Sequence, residues 1–181
     1  SHSTCFAPID FERLRRRGTA LVRQFHTHPE FVAQVMGVSP SAVLSCPLPS
    51  LVIAQSQERF YPQARVVPNL LPCHSAALMP GTAEAGRSIA FTPTSTRGAW
   101  EDRWNTKGVP ETLALLRQVA RATGWSVDCI TDRPLEDALA AKRAAGLVVD
   151  DLVTGGYHLS GLEGLCLGKP VLAYLDERTQ R

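Results

Sequence analysis

The pattern of apolar and polar positions becomes regular about halfway along the chain. From Ser88 onward, short apolar runs alternate with longer stretches in which apolar residues recur at three-and-four spacing. Ser88-Ile89-Ala90-Phe91 predicts a strand, followed by a polar loop from Thr92 to Val109. Pro110-Glu111 opens a helix with Leu113, Leu116, Val119 and Ala120 on one face, and Gly124 ends it. Trp125 to Ile130 is the next strand. A second helix starts near Pro134, with Glu136 and Asp137 suited to the dipole of its first turn, and runs to Gly146. Gly146 to Leu152 reads as a buried strand closing on two acids. After the Gly155-Gly156 turn comes a short leucine-rich helix with one carboxylate, Glu163. Gly168 stops that helix, and Pro170 opens a last apolar run, Val171 to Leu175. Strand, glycine turn, helix and strand form a parallel crossover unit. The alternation predicts an α/β domain: a Rossmann-like parallel sheet with flanking helices.

The first half is less periodic. Thr19 to Phe25 reads as a strand, and Glu30 to Gly37 as a short helix ending at its glycine. Pro40, Pro47 and Pro49 break up the next segment. Strands follow at Leu51–Ala54 and Arg65–Val67, and Leu70 to Arg87, with Pro72, Pro80 and Gly81, reads as a linker. A chain of 181 residues can hold one good-sized domain, or one domain and part of another.

Charge and cysteine usage narrow the function classes. Net charge is only +2, and the arginine cluster Arg13, Arg15, Arg16 and Arg17 reads as a solvated helix face. Nucleic acid is not implied, although such a cluster is compatible with peripheral contact at membrane phosphates. No apolar run reaches membrane-spanning length and the polar opening residues show no secretory signal. A cytoplasmic protein is therefore expected, with the inner face of the membrane as a further location. The five cysteines are scattered without a Cys-x-x-Cys pair, so neither a disulfide framework nor a zinc ribbon is indicated. Cys129 and Cys166 fall in apolar runs and are expected to be reduced core residues. His26 and His28 lack a third ligand, and no metal site is expected.

The segment from Ser160 to Val171, with Glu163, Gly168 and Pro170 in register, resembles the nucleotide-sugar-binding segment of GT-B glycosyltransferases, particularly the large retaining family four. There a glycine turn leads into a helix of the form Gly-x-Ser-x-x-Glu-Ala-x-Ala-x-Gly-x-Pro-Val. Pro68-Asn69 after a short strand matches that family's crossing between domains, and Lys107-Gly108 matches its Lys-Gly loop. The likeness runs loosely from Arg65 to Leu175. It implies that residues 1–70 are a remnant of the N-terminal, acceptor-side domain with its linker, and that 71–181 are the nucleotide-sugar-binding domain.

The resemblance implies a hexosyltransferase-like enzyme, or a fragment inactive alone, that moves a sugar from a UDP, GDP or ADP donor to a glycan, lipid or protein acceptor without a further cofactor. Lys107 would meet the diphosphate, with Arg103 as partner; Arg97 is also near, and an exposed loop lysine is the plainer reading of Lys107. Gly156 would allow close backbone approach, and Ser160 and Gly161 would offer N–H groups and a hydroxyl to phosphate. Tyr157 and His158 would stack on or hydrogen-bond the donor, a structural histidine being the alternative. Glu163 would hold the ribose hydroxyls, with a salt bridge to Lys169 as the plainer reading. The first carboxylate of the family's Glu-x7-Glu pair falls on Gly155 and is missing, with Asp150 and Asp151 as candidate substitutes or as turn residues. No catalytic residue is assigned. The alternative reading is a non-catalytic nucleotide-binding or interaction module that kept the fold; an epimerase of the same architecture is a more distant one.

Overall fold

The computed structural model describes residues 8–55, 57–81, 86–99 and 106–180, with side chains from residue 10. The chain divides into two compact units, residues 1–69 and 70–181.

The first unit begins with helix α1 (Pro8–Arg16), whose last turn carries Arg13, Arg15 and Arg16 on exposed positions. Strand β1 (Arg23–Phe25) is shorter than the predicted run from Thr19, and leads into α2 (Pro29–Met36). Gly37 closes α2 at φ 66°, as the sequence predicts. The proline-rich segment holds a helix despite its prolines, α3 (Pro40–Ser45). Pro40 sits in its first turn, where no N–H is needed, and Ser39 Oγ accepts from the Ala42 amide at 3.1 Å. Strands β2 (Ser50–Ile53) and β3 (Arg65–Val67) complete a parallel sheet in the order β1-β2-β3. Its core is Phe25, Ala33, Val43, Val52 and Tyr61, with the Phe25 and Tyr61 rings stacked 4.3 Å apart.

The second unit contains β4 (Ser88–Phe91), α4 (Val109–Thr123), β5 (Ser126–Cys129), α5 (Leu135–Ala144), β6 (Leu147–Val149), α6 (Leu159–Cys166) and β7 (Val171–Leu172). All four strands are parallel, in the order β5-β4-β6-β7. This is the predicted Rossmann-like α/β architecture. The alternation of β4 sorts the layers. Ile89 and Phe91 join Val149 and Leu116 of α4 on one face; Ala90 and Val148 join Ala145, just past α5, on the other. Gly164 brings α6 onto that second face: a Cβ there would stand 2.9 Å from Val171 Cγ2 and 3.1 Å from Val148 Cγ1.

Three local expectations are corrected. Val119 of α4 is exposed, and Thr112 is buried with Leu116 instead. Cys129 is exposed because β5 is an edge strand with little covering it, so it is not a core thiol. The stretch read as a linker is partly packed. Leu78, in a short 3-10 turn, lies in a cluster with Leu139 and Leu167, and Arg143 Nη2 donates to Ala77 O at 2.7 Å.

Candidate functional site

After β4 the chain steps outward to β5, then α5 carries it back across β4 to β6 on the other side. Strand order therefore reverses between β4 and β6, and the crevice outside their C-terminal ends is where open α/β sheets bind ligands. The residues at these strand ends are polar. Thr92 comes after β4, and Asp150 and Asp151 come after β6, both with no exposed surface. A buried carboxylate is costly unless charge and hydrogen bonds meet it.

Both are met. Asp150 Oδ1 accepts from Lys107 Nζ at 2.6 Å, and Oδ2 accepts from the His158 amide at 2.6 Å. Asp151 Oδ1 accepts from the Val153 and Thr154 amides at 2.7 and 2.9 Å. Its Oδ2 accepts from Thr154 Oγ1 at 2.6 Å and lies 2.8 Å from His158 Nε2. Burial alone would raise the Asp151 pKa, but the bonds from His158, Thr154 and Val153 outweigh it and hold the carboxyl at about 2. Asp151 is thus the turn residue that the sequence allowed, occupied in shaping the glycine loop.

Helix α6 starts beside this pair. His158 is its N-cap residue, but the imidazole turns to Asp151 and does not cap the helix. The positive helix end therefore lies next to the acids, and its Gly161 amide, expected to serve phosphate, already donates to His158 O at 3.1 Å. Gly161 is required there, since a Cβ would stand 2.6 Å from Asp150 Oδ2. Ser160 Oγ lies 2.8 Å from Thr92 Oγ1, tying the helix start to the segment after β4.

Glu163, one turn further on, is 9% exposed and ion-paired through Oε2 with Lys142 of α5, itself 1% exposed. The cation on Glu163 is thus Lys142 and not Lys169. Sequence spacing could not find this, because the two residues lie on different helices, 21 positions apart. Burial lowers the Lys142 pKa despite the opposing pull of Glu163, and Lys107 and Asp150 also act on it, so the two ion pairs form one electrostatic cluster. Glu163 Oε1 has no partner among the described residues.

Of the predicted site residues, Lys107, Gly156, Tyr157, His158, Ser160, Gly161 and Glu163 all belong to the loop before α4 or to the turn and first turns of α6. Lys107 is not the exposed lysine of the plainer reading, its side chain being 10% exposed. Gly156 is buried and Tyr157 half-buried. Arg103 lies outside the described residues, and Arg97 is exposed. Gly155 has φ +79°, and a Cβ on it would meet Asp176 Cβ at 2.9 Å. Asp176 pairs with Arg178, and nothing in the sequence pattern singles it out. No group of three or more potential metal ligands occurs among the described residues. No described helix is long and apolar enough to cross a membrane.

A separate cleft of about 500 Å³ lies in the first unit, lined by Arg23, Tyr61 and the Ser41–Ser50 segment. Its one cation, Arg23, is engaged with Val43 O, Cys46 O and Ser50 Oγ. The cleft lacks the converging charges found at the switch point.

No protein-family model matches the chain, and no curated protein sequence matches it. Among solved structures, the chain is similar to a sucrose-phosphate synthase from Thermosynechococcus elongatus. Identity is 15% with a TM-score of 0.44, over 91% of this chain and 53% of that one. The chain spans about half the length of that structure, and at this similarity nothing about activity passes from one to the other.

Proposed function

We propose that residues 70–181 bind a nucleotide-diphosphate sugar, and that the chain is a glycosyltransferase or part of one. The observation that carries this reading is the convergence of Lys107, His158 and the α6 N-terminus at the point where strand order reverses. The diphosphate lies at the α6 N-terminus, where helix N–H groups favour anions. Lys107 and His158 meet its charge, and Tyr157 stacks on the donor. Glu163 takes the ribose hydroxyls through Oε1 while Lys142 holds Oε2. On transfer to a glycan, lipid or protein acceptor, charge growing on the leaving diphosphate is stabilised by Lys107 and the helix end.

A second reading, a non-catalytic nucleotide-binding or interaction module, draws support from two observations. Lys107 and Lys142 are already paired with protein carboxylates, and Gly155 stands where the resembled family carries a carboxylate.

Thermal unfolding against UDP, GDP, ADP and their sugars tests the first reading. A ligand at a hundred times its Kd adds about 2.7 kcal/mol, or on the order of 10 °C of Tm for a unit of about 110 residues. Tyr157→Ala is the suitable control, because removing Glu163 would leave Lys142 buried and unpaired. A shift with one base, diminished in Tyr157→Ala, is expected. Absence of a shift with every nucleotide at millimolar concentration would favour the interaction module.

A further inference from the structure

Cys166 is the last residue of α6 and packs against the Leu78–Leu139–Leu167 cluster. Cys73 lies in a tight turn, held by the bond from its own amide to Leu71 O at 2.9 Å and by Ser75 N to Pro72 O at 2.7 Å. Leu71 and Leu78, on either side of that turn, both pack in the cluster that holds Cys166. The two sulfurs consequently stand 2.9 Å apart, although 93 positions separate the residues. A disulfide needs about 2.05 Å, so a side-chain adjustment of under an ångström closes the gap. Cys73 is exposed to solvent and Cys166 partly so, and both are free thiols. Cys46 and Cys129 are the other described free cysteines, and neither has a sulfur neighbour among the described residues.

We propose that Cys73 and Cys166 form a reversible disulfide by exchange with small disulfides of the glutathione type. Cys73 is the more exposed sulfur and attacks first, while the hydrogen bond with it, then burial, raises the Cys166 pKa to about 11. The Cys73 thiolate displaces one glutathione thiolate and forms a mixed disulfide. Cys166, losing its proton, attacks the Cys73 sulfur and expels the second glutathione. Two protein thiols are oxidised to one disulfide, one small disulfide is reduced to two thiols, and the two protons released are taken up by the two glutathione thiolates. The bond ties the C-terminal end of α6 to the segment before β4. It requires nothing of the ligand proposed at the other end of that helix.

The test equilibrates the whole reduced chain in a glutathione redox buffer, traps free thiols by alkylation and maps cross-links by mass spectrometry. A Cys73–Cys166 cross-link should dominate, with loss of two hydrogens, and dithiothreitol should reverse it. At the same glutathione ratio in denaturant the yield should fall at least about tenfold, because unfolding separates the thiols. Cys73→Ser and Cys166→Ser should each abolish the cross-link. The oxidised chain should also melt higher, by on the order of 10 °C. Five unlinked thiols, cross-links spread over other cysteines, equal yield in denaturant, or a Tm unchanged or lowered on oxidation would each overturn the proposal.

Discussion

Gly155 has a left-handed backbone at φ +79°, and the space beside it is taken by Asp176. Replacing it by glutamate, the residue suggested by the sequence resemblance, adds left-handed strain of about 1–2 kcal/mol and an overpacking cost of about 1–3 kcal/mol. Gly155→Glu should therefore lower the urea midpoint; a variant as stable as the parent would show that the turn can rearrange. Asp151 is a second residue with a definite consequence. Its folded pKa of about 2 lies below the usual 3.8, so the stability it contributes is present above pH 3.8 and is lost as pH falls toward 2. The contribution is about 2 kcal/mol. Thr154→Ala removes one of its bonds and raises the folded pKa, so the variant should be less stable near neutral pH while its acid loss is smaller and levels off at a higher pH, seen by urea unfolding between pH 7 and 2. Coincident acid limbs would mean that Thr154 does not set that carboxyl's pKa.

Between elements, the decisive contact is the Lys142–Glu163 pair joining α5 to α6. Burial outweighs Glu163 in setting the Lys142 pKa, so the pair is held at a desolvation cost. Removing one partner should cost about 3–5 kcal/mol, whereas an apolar pair of similar volume is often neutral. Glu163→Leu and Lys142→Met should each destabilise the fold strongly, and the double variant should come back to within about 2 kcal/mol of the parent. Additive losses in the double-mutant cycle would show that the two side chains do not depend on each other. The same logic explains why Glu163 reads from its sequence neighbours as a ligand group. Among Leu159, Leu162, Leu165 and Leu167 it needs a partner, and periodicity along α5 does not show that Lys142 supplies one.

On the scale of the whole chain each unit has its own buried core, around Val52 and Tyr61 in the first and on both faces of the sheet, Ile89, Phe91 and Val149 on one and Ala90 and Val148 on the other, in the second. Val52 and Val148 are each without exposed surface, in the first and second unit respectively. Truncating either to alanine should cost about 2 kcal/mol. In a calorimetric scan, Val52→Ala should lower one transition and Val148→Ala the other. Nucleotide should raise only the transition that Val148→Ala lowers. If both substitutions moved one common transition equally, the two units would be unfolding as a single cooperative block.

Local signals are legible in the chain itself. The glycines at 37, 124 and 168 take positive φ where the sequence places helix ends, and β3, β4, α4 and the crossover from β6 to β7 lie close to their predicted positions. These follow from what a residue does to its own backbone and from the period of its nearest neighbours. Helix α3 is also within reach, since Ser39-Pro40 is a starting pair; proline breaks a helix interior but not a first turn. Other features depend on residues far apart in sequence. Sheet order set the switch point and exposed Cys129 on an edge, and the packing of the elements brought Lys107 to Asp150, Lys142 to Glu163 and Cys73 to Cys166. Pattern along one chain reports which face of an element is apolar. Which buried charge will face which other is decided only when the elements pack, because burial then makes leaving either one unpaired too costly.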